Sequence, residues 1–183
     1  MTNAPAIKDR LDHLYKLSEI ARAITLNLFS DPKGVENKAT GSDYDPVTQA
    51  DIEAEKALRV SIQETFPNDS IEGEELPDHK GSNEFSWTLD PIDGTRAFIA
   101  GVPVWSTLVA LSVKDEARLG MIDLPALGKR YLGQIGDGVS KSWVEENGDK
   151  KDLKTAPCAE IRDGILGCTA PFCLLYTSPS PRD

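Results

Sequence analysis

The chain is poor in the side chains on which much metal and nucleophile chemistry depends. Its only two histidines, His13 and His79, lie far apart, which leaves little material for a histidine metal site or a Ser-His-Asp triad. Its three cysteines, Cys158, Cys168 and Cys173, are odd in number, late in the chain and not at CxxC spacing. That pattern argues against a disulfide framework and a thiolate zinc site. No apolar run approaches the roughly 20 residues that span a bilayer, and residues 1–16 lack the apolar core of a signal peptide. The expectation is therefore a cytoplasmic protein with no membrane partner. Positive charge is also scarce: 20 Lys and Arg against 30 Asp and Glu give a net charge of −10. That balance argues against nucleic acid as a partner, whose readers usually carry a basic face. Any metal must be held by oxygen.

What is present is an ordinary globular composition, 39% hydrophobic over 183 residues, enough for one core and one domain. Ile7, Leu11, Leu14, Leu17, Ile20, Ala21, Ile24 and Leu28 recur at steps of three and four, predicting a helix over 6–29 stopped by Asp31-Pro32. A polar stretch at 33–45 reads as a mobile loop or short hairpin. A second helix starts near Thr48, where Asp51 completes a capping box, buries Ala54, Ala57, Leu58 and Ile62, and ends at Pro67. Strand patterns then follow at 86–89, 106–113, 117–124, 129–135, 139–145 and 165–169, with an Asn147-Gly148 hairpin turn. Helices followed by antiparallel strands predict an α+β layer structure. Residues 173–183, Ser- and Pro-rich, read as a non-native adapter read-through or a disordered tail.

The most informative segment is Trp87-Thr88-Leu89-Asp90-Pro91-Ile92-Asp93-Gly94-Thr95. A strand delivers Asp90, Pro91 bends the chain, and across that turn Asp90 and Asp93 can aim at one point. Gly94 permits close backbone approach, and Thr95 opens a short helix over 95–100. Two converged carboxylates repel unless a cation separates them. With oxygen ligands that cation is hard, Mg²⁺ first, then Mn²⁺ or Ca²⁺. Free amides at a helix start beside it form an anion site, and together they suggest a phosphate ester. A capping Asp and a surface Asp in a Pro-Gly turn are the alternative. Gly73-Glu74-Glu75 offers a further carboxylate, or a solvated acidic pair; Asp51 is explained by capping alone.

Asp45-Pro46-Val47-Thr48-Gln49-Ala50-Asp51, then Gly73-Glu74-Glu75, then Asp90-Pro91-Ile92-Asp93-Gly94-Thr95, resemble in order and spacing the motifs of the inositol monophosphatase family. The continuation from Arg96 to Trp105 is similar to its histidinol-phosphatase branch. The resemblance implies the N-terminal part of a layered α/β/α/β/α sugar-phosphatase fold, with two long helices on a largely antiparallel sheet. It implies a phosphomonoesterase using two or three Mg²⁺ ions, with Mn²⁺ as a substitute, acting on a small phosphorylated metabolite. Histidinol phosphate leads; inositol 1-phosphate and 3′-phosphoadenosine are the alternatives, and a homodimer is the common assembly. Glu74 would ligate metal and help activate water, Asp90 bridge two metals, and Asp93 and the Ile92 carbonyl hold one each. Thr95 would position the water with Glu74. The Gly94 and Thr95 amides would hold phosphate, Asp51 would sit outside a third metal through water, and Arg96 would bear on substrate choice.

The family pattern also contains a further Asp in a C-terminal Trp-Asp motif, and that motif does not follow Asp93 here. The expectation is a truncated phosphatase domain over 1–172. The 183-residue polypeptide would then bind metal weakly and hydrolyse little; at the limit it is a non-catalytic metal-binding or dimerising remnant.

Overall fold

The apolar repeat of the N-terminus forms one long helix, α1 (Ala4–Phe29), in the computed structural model, which describes residues 4–29, 34–37 and 46–165. A short antiparallel ladder, β1 (Glu36–Asn37) with β2 (Pro46–Val47), leads to α2 (Gln49–Thr65). The expected cap is present: the Thr48 amide donates to Asp51 Oδ2 at 2.8 Å, and the Thr48 hydroxyl accepts from the Ala50 amide at 3.2 Å. Then come β3 (Ser70–Gly73), β4 (Phe85–Asp93), α3 (Thr95–Ile99), β5 (Ser106–Val113) and β6 (Glu116–Leu124). β7 (Lys129–Gly136), β8 (Val139–Glu146) and β9 (Asp149–Asp152) complete a sheet of order β3-β4-β5-β6-β7-β8-β9. β3 pairs with β4 in parallel and every later pairing is antiparallel, so the α+β architecture holds.

Alternation along the strands sorts the two faces of this sheet. Trp87 and Leu89 of β4, Val109 and Leu111 of β5, Met121 of β6 and Leu132 of β7 are buried against Leu14, Leu17, Leu58 and Ile62 of the helices. Fully burying side chains of this size stabilises by about 1.5–3 kcal/mol each, which holds α1 and α2 on this face. The other face carries Thr88, Leu108, Ala110, Ile122 and Tyr131 around a cavity of about 670 Å³.

Buried polar groups fix how the layers register. Arg10 of α1 grips Asp69 with two hydrogen bonds, at 2.8 and 2.6 Å, and the Trp87 indole donates to the same carboxylate at 2.8 Å. The start of β3 is thereby tied to α1 and β4 at once. Asp123 of β6 likewise accepts from Ser18 and Arg22. A second apolar cluster of Ala50, Ile92, Phe98 and Trp105 pins the start of α2, the end of β4 and α3 together.

Three features differ from the sequence expectation. Pro91 does not end its strand: β4 runs on to Asp93 through a register shift. β9 carries no hydrophobic alternation, being Asp-Lys-Lys-Asp, and forms because the Asn147-Gly148 turn, with φ of 53° and 87°, folds it onto β8. Ala57 is half-buried, whereas the polar Asp51, Glu55, Arg59 and Ser61 of α2 are buried. The described residues fall into two units divided after Leu153; the second holds a 3₁₀ turn at Ile161–Asp163 and an exposed Cys158. The loop expected at 33–45 lies mostly outside the described residues. So do the strand at 165–169 beyond Ile165, Cys168, Cys173 and the tail 173–183.

His13 yields a pH test of this packing. Its ring lies 5.2 Å from the Phe66 centroid and 6.1 Å from Trp87. Burial holds its imidazole below the ordinary 6.5; the Lys16 and Arg10 cations add to this, and a backbone hydrogen bond to Ser61 and the Asp69 charge oppose it. The unfolded chain therefore takes up a proton near pH 6.5 before the native state does. Stability is full above that pH and falls as pH drops below it. Urea midpoints measured from pH 7.5 to 5.5 are expected to decline, and His13→Gln to remove part of that slope; identical slopes would contradict the assignment.

Candidate active site

Two backbone devices gather the acidic residues at one end of the sheet. In the parallel ladder Gly73 stands opposite Leu89, so the residues that follow, Glu74 just past β3 and Asp90 on β4, emerge side by side. In the antiparallel ladder Asp90 pairs with Leu108 and Asp93 with Ser106, so two residues of β4, Pro91 and Ile92, oppose Thr107 alone. Such a bulge moves the side-chain alternation by one residue. Asp90 and Asp93, three apart, thereby point to the same face as two β5 residues that are two apart. A bulge, rather than a turn at Pro91, makes the two carboxylates share a side. Thr107 Oγ1 donates to the Pro91 carbonyl at 2.8 Å and ties off one of the extra carbonyls.

Asp90 is half-buried and Asp51 buried, whereas Glu74 and Asp93 are exposed. Burial, then the Glu74 and Asp93 carboxylates, and more weakly Asp51, push the Asp90 carboxyl up to about 7, with a hydrogen bond from the Ile92 backbone pulling the other way. Like charges hold one another apart. Among the described residues no three Asp, Glu, His or Cys side chains are grouped so that they could hold a metal ion as they stand. The groups acting on Asp90 are an all-oxygen set, and a hard divalent cation between them would replace repulsion by attraction. The donor chemistry fits such an ion.

The remaining predicted residues line the same end. Gly94 takes φ of +94° and caps α3 by its carbonyl, which accepts from the Ala97 and Phe98 amides at 2.8 and 3.1 Å. Thr95 Oγ1 donates to the Ile92 carbonyl at 3.1 Å, and Ser106 Oγ to Asp93 Oδ2 at 3.4 Å. Arg96 is exposed one residue further on. α3 has only five residues, so its macrodipole is small.

Sequence reading missed two groups. Glu55 and Arg59, one and two turns beyond Asp51 on α2, are buried and joined at 2.7 Å. Glu55 also accepts from the Glu75 amide at 2.8 Å and the Leu76 amide at 3.2 Å. Arg59 donates to the carbonyls of Leu76 at 2.9 Å and Pro77 at 3.0 Å. The i, i+4 spacing of opposite charges was legible; that the pair faces inward onto the chain after Glu74 was not.

The inositol monophosphatase family model matches residues 7–170. A histidinol-phosphatase of Chlorobaculum parvum is 41% identical over 123 residues, covering 67% of this chain and 47% of that protein. One from Streptomyces coelicolor is 37% identical over 132 residues, covering 69% of this chain and 48% of its own length. In solved structures, the Thermotoga maritima IMPase aligns with a TM-score of 0.66 at 32% identity, over 77% of this chain and 52% of that one. The chain thus spans about half the length of the curated relatives it matches.

Gly73 carries a direct test of this geometry. A β-carbon there would fall against Glu55 Oε1 and 2.6 Å from Arg59 Nη2, two atoms already pinned by hydrogen bonds. Gly73→Ala is expected to lower unfolding free energy by about 1–3 kcal/mol, the usual cost of overpacking. Urea unfolding measures it, and an unchanged midpoint would contradict the packing.

Proposed function

Because the chain belongs to the inositol monophosphatase family, we propose that it carries the catalytic end of a Mg²⁺-dependent phosphomonoesterase whose leading substrate is histidinol phosphate. The observation that carries this reading is the joint effect of strand register and bulge: Glu74, Asp90 and Asp93 come from two strands to one end of one sheet. Family membership implies a divalent cation; the identity Mg²⁺ and a count of two or three are the finer proposal. The substrate choice draws on the histidinol-phosphatase relatives and on Arg96, which is exposed directly after the Asp90–Thr95 segment.

In this reading Asp90, Glu74, Asp93 and the Ile92 carbonyl hold the ions, with Asp51 behind them. Bound there, divalent cations supply Lewis-acid stabilisation of phosphoryl charge and acidify water. The chain's own residues orient the reactants. The Thr95 hydroxyl spends its proton on the Ile92 carbonyl, so its oxygen is left to accept. Together with a Glu74 carboxylate oxygen it can accept both protons of one water, whose lone pair then faces the phosphorus. Gly94, lacking a side chain, lets its own amide and that of Thr95 approach the phosphate oxygens. No covalent enzyme intermediate is needed.

The test is phosphate release from histidinol phosphate, inositol 1-phosphate and 3′,5′-bisphosphoadenosine, measured on the full gene product with and without divalent cation. Histidinol phosphate is expected to give the highest kcat/KM, and Asp90→Asn to lower it by about 10²–10³-fold, the loss of several kcal/mol of charge stabilisation. If histidinol phosphate is the poorest of the three, the substrate assignment fails. Absence of cation-dependent release from all of them would favour a non-catalytic protein.

A further inference from the structure

We propose that the buried Glu55–Arg59 pair of α2 is a positioning device that fixes where the Glu74 carboxylate stands. The proposal rests on Glu74 serving the cation site, and it adds two residues that touch neither cation nor substrate. Glu74 is the first residue beyond β3, where ladder pairing gives out and the chain would otherwise be free to swing. On its N-terminal side Gly73 is held by the β3–β4 register and packs its bare Cα against Glu55 and Arg59. On its C-terminal side the pair makes four hydrogen bonds to backbone groups of residues 75–77. All four go to main chain, so they fix the path of the backbone whatever side chains residues 75–77 carry.

Stability alone is a poor reason for the pair. Glu55 is 0% exposed and Arg59 8%, and a buried ion pair is often no more stabilising than apolar residues of the same volume. What an apolar pair cannot do is hold two amides and two carbonyls at set positions. Asp51, Glu55 and Arg59 stand at i, i+4 and i+8 on one helix, so a single rigid rod carries both a carboxylate that acts on Asp90 and the clamp behind Glu74. The Thr48 cap and the Ala50–Ile92–Phe98–Trp105 cluster fix the start of that rod.

The test uses Glu55→Gln, the double replacement Glu55→Leu with Arg59→Met, which leaves no unpaired buried charge, and Glu74→Gln alone and combined with that double replacement. Circular dichroism and urea unfolding establish that each is folded. Hydrogen exchange at the Glu75 and Leu76 amides is expected to speed up by at least about tenfold, and the Kd for Mn²⁺, read by electron paramagnetic resonance, to rise by about 10–100-fold, the range for residues that orient metal ligands. In a Glu74→Gln background the double replacement is expected to cause no further loss of Mn²⁺ affinity, because its effect runs through Glu74. A folded double variant with faster amide exchange but unchanged Mn²⁺ affinity would overturn the proposal, as would an equal further loss in the Glu74→Gln background. Unchanged Mn²⁺ affinity in Glu74→Gln itself would instead overturn the reading of Glu74 as a ligand. The Glu74→Gln variant, alone and combined with the double replacement, thus separates the two failures.

Discussion

Repulsion between carboxylates is the constraint around which this chain is organised. Asp90 sits half-buried in β4 beside its bulge, where burial first, and then Glu74, Asp93 and Asp51, disfavour its charge. A fold without a use for that arrangement would place an apolar side chain at Asp90, since each buried or crowded charge costs free energy unless it is compensated. The cost becomes an asset when a divalent cation enters, because every repulsive pair then shares an attractive partner. Family membership and the all-oxygen character of the set lead to the same chemistry.

The scaffold meets this cost by making the positions hard to change. β3 is short and lies at the edge of the sheet, yet Asp69 at its threshold is bound by Arg10, Trp87 and Asn83. The bulge between Asp90 and Asp93 is held by Thr107 and by the packing of Ile92 against Phe98 and Trp105. α2 brings the third contribution through its capped first turn. Three anchors, one on each strand and one on the helix, hold the elements that carry Glu74, Asp90 and Asp51.

Much of this was legible before any coordinates. The three- and four-residue spacing of α1, the Thr48–Asp51 capping box, and the strands over 106–113 and 129–135 follow from period and cap chemistry alone, and they emerge within two residues of expectation. The acidic motif around Asp90 was visible because proline, glycine and paired aspartates are rare in one hexad. Other features were hidden for physical reasons. β9 is formed by its turn and partner strand, not by its own four charged residues. The bulge at Pro91 depends on which β5 residues stand opposite, and the Glu55–Arg59 clamp depends on how α2 is rotated against the segment after β3. All three are properties of pairs of segments, which no single stretch of sequence encodes.

The central claim is that Glu74 and Asp90, delivered by neighbouring parallel strands, bind the same divalent ion. Anomalous diffraction from Mn²⁺-soaked crystals tests it most directly. The account predicts a Mn²⁺ peak within about 2.5 Å of a carboxylate oxygen from each of these two residues. Peaks only elsewhere on the protein, or none between them at saturating Mn²⁺, would contradict it.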